Sequence, residues 1–346
     1  MQRIERIKTT LGSRVVGKAN YTNWDVEQRE YKRPCHHETR DQVLGDIDAW
    51  IHDPDGTSCL WITGMAGVGK SAIALTTVQC LKDGRALSAK TGCEVMRNET
   101  RAESDLETTR DEAPGATLVA EYFVSFRDAT TSSIESLFPT IAMQLANSSP
   151  VAQVVIDDAL KRKPTLADSF NGDQARFLFV EPLCAIAEHN PHKLVLVIDG
   201  VDEFVDKVDQ ETLLRTVTST LCNTMSQLPP NVKVVILSRP ERGIAMELDL
   251  VLSCPERGIA IEPDTPLISV RQHLLPTEKS RDDVEKFLRS ELKKYADSPS
   301  RRWEGWPDEQ RFNGLCYLAD GHFTCASVAF RWIVSELDSA EDVEVR

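Results

Sequence analysis

The sequence predicts an α/β protein, a mainly parallel sheet flanked by helices and followed by a small helical domain. Four short apolar runs, Cys59 to Thr63, Leu118 to Phe126, Lys193 to Ile198 and Val232 to Leu237, read as buried strands. Helical periods lie between them, such as Ile134, Leu137, Phe138, Ile141 and Leu145, which fall on one face of a helix. Strands alternating with helices require crossover connections, hence parallel neighbours covered on both faces. From about residue 280 only helical periods remain. Val284, Phe287, Leu288, Leu292 and Tyr295 share a face behind Asp282 and Asp283, acids that suit a helix start, and two more helices are expected near Asp308 to Asp320 and Phe323 to Leu337.

Two segments interrupt this order. Residues 83–116 are rich in charge and poor in large apolar side chains, which predicts a disordered surface insertion. The stretch Ser238 to Leu252 is followed by a copy of itself, Ser253 to Leu267, identical at ten of fifteen positions. One repeat is too few for a solenoid, so 253–267 reads as a local duplication, its three prolines favouring loop.

Composition excludes several roles. A net charge of −14 argues against direct nucleic-acid binding or an anionic lipid surface as partner. Charges run through the opening MQRIERIKTTLGSRVV, and nowhere do 18 apolar residues follow one another, so a cytoplasmic protein without a membrane span is expected. The nine cysteines are scattered, with no C-x-x-C pair, which indicates neither a disulfide framework nor a zinc knuckle. Cys35, His36 and His37 are adjacent, and three neighbours do not converge easily on one ion.

The chemistry lies in the stretch LWITGMAGVGKSAIALTTV. Gly64, Gly69, Lys70 and Ser71 satisfy G-x-x-x-x-G-K-[ST], a match expected by chance in roughly one chain of this length in a hundred. A buried strand precedes it and a helix follows, which is the setting the motif needs. Glycines let the backbone of Gly64, Met65, Ala66, Gly67, Val68 and Gly69 curl until N–H groups point at phosphate oxygens. The helix start at Lys70, Ser71 and Ala72 adds partial positive charge. Lys70 reaches the β- and γ-phosphates and the Ser71 hydroxyl ligates Mg²⁺, so a P-loop NTPase sheet holding Mg²⁺ with ATP or GTP is predicted. The magnesium needs a carboxylate too, expected at the end of a neighbouring strand. KLVLVIDGVDE supplies Asp199 there. Gly200 leaves room beside the phosphates, and either Asp202 or Glu203 can orient or deprotonate the attacking water. Arg239, at the end of the fourth strand, is placed to meet the γ-phosphate.

With PCHHETRDQVLGDIDAWIHDP, SLFPTIAMQLA, VIDGVDEF, VILSRPE and ADGHFTCASVAFRWI, these residues resemble the NACHT-type nucleotide-binding domain of STAND NTPases. The version is the one common in fungal NLR-like proteins, the nephrocystin 3-like N-terminal domain. The likeness spans roughly residues 35 to 337. It implies a short N-terminal segment (1–34), a nucleotide-binding domain (35–267) and an incomplete helical domain (268–346). It also implies a signal-transduction switch in which bound diphosphate holds a resting form. Exchange for triphosphate permits homo-oligomerisation or engagement of full-length NLR-like relatives, and slow hydrolysis resets the switch. Residues Cys35 to Val43 would then line the base pocket. The alternative is a truncated decoy or scaffold that binds nucleotide without turnover.

Overall fold

The computed structural model describes residues 2–19, 33–54, 56–87, 115–168, 170, 172–205, 209–253, 270–297 and 308–344. Its centre is a five-stranded, all-parallel sheet: β1 Cys59–Gly64, β2 Ala116–Phe123, β3 Lys193–Asp199, β4 Val232–Ser238 and β5 Val270–Leu275, in the order β2-β3-β4-β1-β5. Strands β1 and β4 are buried at every position, as continuous apolar runs of a parallel sheet should be.

Alternation along β3 divides the core into two. Leu194, Leu196 and Ile198 face one layer, built from α1 Gln2–Leu11, α4 Leu137–Ser148, α5 Pro150–Arg162, α7 Glu181–Glu188, α8 Gln210–Met225 and α9 Arg242–Ser253. Val195 and Val197 face the other, built from α2 Asp41–His52 and α3 Lys70–Lys82. The short helix α6 Gly172–Ala175 passes into α7 through a π-helical stretch, Arg176–Val180. Pro182, in the first turn of α7, has no N–H to donate back along the helix, which accounts for the break in register. Lys233, fully buried on β4, donates to the carbonyls of Asp53, Gly56 and Thr57 and so fastens the turn between α2 and β1.

Several expectations are corrected. The second strand spans Ala116–Phe123, not Leu118 to Phe126: it carries a bulge between Leu118 and Ala120, and the exposed Phe126 lies beyond its end. The fifth strand falls in a stretch read as part of the helical domain. As an edge strand it is half-exposed, so Val270, Arg271, Gln272, His273, Leu274 and Leu275 form no apolar run. Within the short N-terminal segment, α1 buries Ile7 and Leu11, and Arg6 grips Asp157 of α5 through two hydrogen bonds of 2.8 and 2.7 Å. Most of the expected insertion (88–114) and nearly all of the duplication (254–267) lie outside the described residues.

The expected helices beyond β5 are present: α10 Arg281–Ala296, α11 Glu309–Ala319, capped by Asp308, and α12 Phe323–Glu344. Val284, Leu288, Leu292, Phe312, Ala319 and Ala326 form their own small core. Among the described residues no helix is long and apolar enough to cross a membrane.

Candidate functional site

β1 runs out at Gly64, and after five intervening residues α3 begins at Lys70. A Cβ on Gly64 would lie 3.0 Å from both Leu275 Cβ and Val68 Cγ2, so the strand end is packed too tightly for a side chain. Gly67 and Gly69 have φ of +80° and +91°, left-handed conformations that L side chains adopt at a cost. Between them Val68 is fully buried and plugs the turn into the α2–α3 core. Met65 is exposed, Ala66 sits in the turn, and Ser71 and Ala72 follow in the first turn of α3.

The Lys70 ammonium folds back over this turn, donating to the carbonyls of Gly64 (2.7 Å) and Met65 (2.9 Å). Burial pulls its pKa below the ordinary lysine value, while Asp202, Asp199 and Glu203 oppose that shift and Arg239 adds to it.

Asp199 closes β3, almost wholly buried. Its main-chain carbonyl accepts from Val124 N–H (2.9 Å), and the Gly200 N–H reaches the Leu237 carbonyl (2.9 Å), tying three strand ends together. The strand carrying Asp199 is not a neighbour of β1, as the sequence suggested. β4 lies between them, which puts Arg239 between the glycine turn and Asp199. Gly200 is needed for its backbone: its φ is +82°, and an added Cβ would stand 3.2 Å from the Val124 carbonyl.

The two candidate bases are both engaged. Asp202 accepts from the Arg239 N–H through one carboxylate oxygen (2.8 Å) and pairs with the guanidinium through the other (3.3 Å). Glu203 accepts from Phe126 N–H (3.1 Å). Asp202 thus aims Arg239 in this arrangement, a role the sequence did not suggest.

The far wall is formed by part of the stretch Cys35 to Val43 that the resemblance set beside the base, but its contacts were not foreseen. A strap, Cys35 to Arg40, runs from the α3 helix, where Cys35 N–H reaches the Thr76 hydroxyl (2.8 Å), to α10, where His36 pairs with Glu291 (3.4 Å). Arg40, 5% exposed and at φ +64°, sends its guanidinium to the Val68 carbonyl and to the Ser280 hydroxyl (2.8 Å). Its own N–H reaches Asp283 (3.1 Å), and the Phe323 ring lies 5.0 Å from the guanidinium carbon. On the other side the Thr324 N–H meets the Gly67 carbonyl (3.3 Å). No short motif announces these contacts, because each joins residues more than 25 positions apart.

A glycine turn at the carboxyl edge of a parallel sheet, with a lysine, an arginine and three carboxylates around it, can hold a polyanion and a hard cation. No curated protein matches the chain. A family model for the N-terminal region of nephrocystin 3 matches residues 38–239. That match runs from just before Arg40, through the glycine turn and Asp199, to Arg239, and the chain belongs to the nephrocystin 3 N-terminal family.

Proposed function

We propose that the chain binds a nucleoside triphosphate, ATP or GTP, with Mg²⁺ in the turn Gly64 to Ser71 and hydrolyses it slowly, as the switch module of a NACHT-type STAND signalling protein. The observation that carries this reading is that the adjacent strands β3, β4 and β1 end side by side, with Asp199 closing β3, Arg239 following β4 and the glycine turn with Lys70 following β1. The site lies where the chain leaves β1 for β2 on one side and later returns to β5 on the other, a topological switch point.

Lys70 now satisfies its charge on two neutral carbonyls. Phosphate oxygens would be better partners, since they carry the negative charge that a neutral carbonyl lacks. The Ser71 hydroxyl and the Asp199 carboxylate are hard oxygen donors of the kind Mg²⁺ takes, and they would hold it. When bound, the ion neutralises charge on the β- and γ-phosphate oxygens. Arg239, aimed by Asp202, would meet charge developing on the γ-phosphate, and Glu203 or Asp202 would orient the attacking water.

A second reading, binding without turnover, is favoured by one observation: Asp202 is occupied by Arg239 and Glu203 by the Phe126 N–H. A decoy or scaffold for related switch proteins would then be the role. Equilibrium binding of fluorescent ATP and GTP to the full chain with Mg²⁺, beside Lys70→Ala and a phosphate-release assay, tests both. Binding that falls at least about a hundredfold in Lys70→Ala is expected. Unchanged affinity in that variant would remove the site, and turnover separates switch from decoy.

A further inference from the structure

The glycine turn is held from outside by hydrogen bonds to its own carbonyls. A trans peptide is planar, with C=O and N–H on opposite sides, so fixing a carbonyl on one side turns the next residue's N–H to the other. The Gly67 carbonyl is held by the Thr324 N–H at the start of α12, and the Val68 carbonyl by the Arg40 guanidinium. These two successive peptide units carry the N–H groups of Val68 and Gly69, the donors that a phosphate would use.

Arg40 is itself held from several elements. Ser280 Oγ accepts from the same Nη2, Asp283 accepts from the backbone N–H and stands 3.9 Å from Nε, and Phe323 packs against the guanidinium. The residue sits at φ +64° and ψ 14° as N-cap of α2, a backbone shape that L residues rarely take without compensation. Burying a planar, five-donor cation beside an uncharged turn is costly unless its contacts are met. Here Nη2 is met by the turn on one side and by Ser280 on the other, while the buried Nε has no hydrogen-bond partner and only the Asp283 carboxylate, 3.9 Å away, to offset its charge.

We infer that Arg40 is a positioning residue, whose guanidinium, together with the Thr324 N–H, presets the peptide planes of the glycine turn for a polyphosphate and ties the turn to the helical part. This rests on the nucleotide reading above. The helical part then holds the turn through Arg40 and Thr324, and by linkage an anion seated in the turn steadies the helical part in return.

The experiment uses the full chain, fluorescent ATP with Mg²⁺, and amide hydrogen exchange with and without nucleotide, on wild type, Arg40→Gln, Arg40→Lys and Ser280→Ala. Arg40→Lys keeps the charge and loses the fork, and Ser280→Ala removes one anchor of Arg40 while leaving the turn intact. The expected result is affinity about tenfold weaker or more in both Arg40 variants, and a few-fold weaker in Ser280→Ala. Nucleotide-induced protection of 278–297, present in wild type, should be lost with them. Equal affinity and equal protection across the four proteins would overturn the inference. Should wild type bind no ATP, the nucleotide reading fails, and ligand-free exchange at the Val68 and Gly69 amides decides the rest. Faster exchange in Arg40→Lys upholds the positioning role, and identical exchange removes it.

Discussion

At Gly67 the backbone and the packing make the same demand. Its φ of +80° costs an alanine about 1–2 kcal/mol, and the new Cβ would sit 3.1 Å from the Thr324 hydroxyl and 3.2 Å from its Cβ. Gly67→Ala should therefore lower the melting temperature by a few degrees and push α12 off the turn, with a larger loss of nucleotide affinity than of stability. Calorimetry and the binding assay together check that ranking. The Asp202 and Arg239 contacts lead to a companion expectation. Asp202→Asn keeps an acceptor for the Arg239 N–H and should retain most triphosphate affinity, whereas Asp202→Ala should lose it in step with Arg239→Ala. A double-mutant cycle on triphosphate against diphosphate affinity reads the coupling, and additive losses would show that the two residues act separately. At this scale the sequence was eloquent about residues whose chemistry is local, Gly64 to Ser71 and Asp199 with its followers. It placed Arg40 only within a stretch, Cys35 to Val43, that the family resemblance sets beside the base, and gave no sign of its contacts 28 and 240 positions away.

Helices and strands were legible where they are buried. The apolar runs of β1, β3 and β4 and the face Val284, Leu288, Leu292 stand out because each buries a whole strand or stripe. β5 escaped notice because an edge strand needs only half its residues apolar, and its place in the sheet comes from pairing with β1. Close approach between elements is equally invisible in one dimension. Gly243, near the start of α9, would drive a Cβ to 2.6 Å from the Glu211 carbonyl of α8, and Gly321, at φ +78° after α11, would drive one to 2.2 Å from the Thr277 carbonyl. Backbone cannot yield as a side chain does, so Gly321→Ala should destabilise the helical part by about 2–4 kcal/mol. Hydrogen exchange should rise across α10 and α11 while the sheet keeps its protection. A uniform rise would mean instead that sheet and helical part unfold as one.

For the whole molecule, α1 clasps the sheet layers from outside. Arg6 makes two hydrogen bonds to the buried Asp157 carboxylate, and Lys161 adds an ion pair at 2.6 Å. The Arg6 hydrogen bonds, foremost, pull Asp157 from its ordinary 3.8 down to about 2. A carboxylate with a depressed folded-state pKa stabilises the fold above its unfolded value and loses that contribution as pH falls through the folded one. Asp157→Asn should thus melt below wild type at pH 6, by a margin that shrinks between pH 4 and pH 2. Melting curves across that range, with proteolysis of α1 as a local readout, check it; a margin that persists at pH 2 would point to a packing defect.

The sheet order carries one more consequence. Both long stretches outside the described residues lead into an edge strand, 88–114 into β2 and 254–269 into β5. The middle three strands, which deliver the glycine turn, Asp199 and Arg239, have their other connections elsewhere. For anyone wishing to watch the chain at work, Thr117, exposed near the amino end of the edge strand β2, is the natural port: a fluorophore attached there would ride on the molecule at the end of the sheet opposite its chemistry.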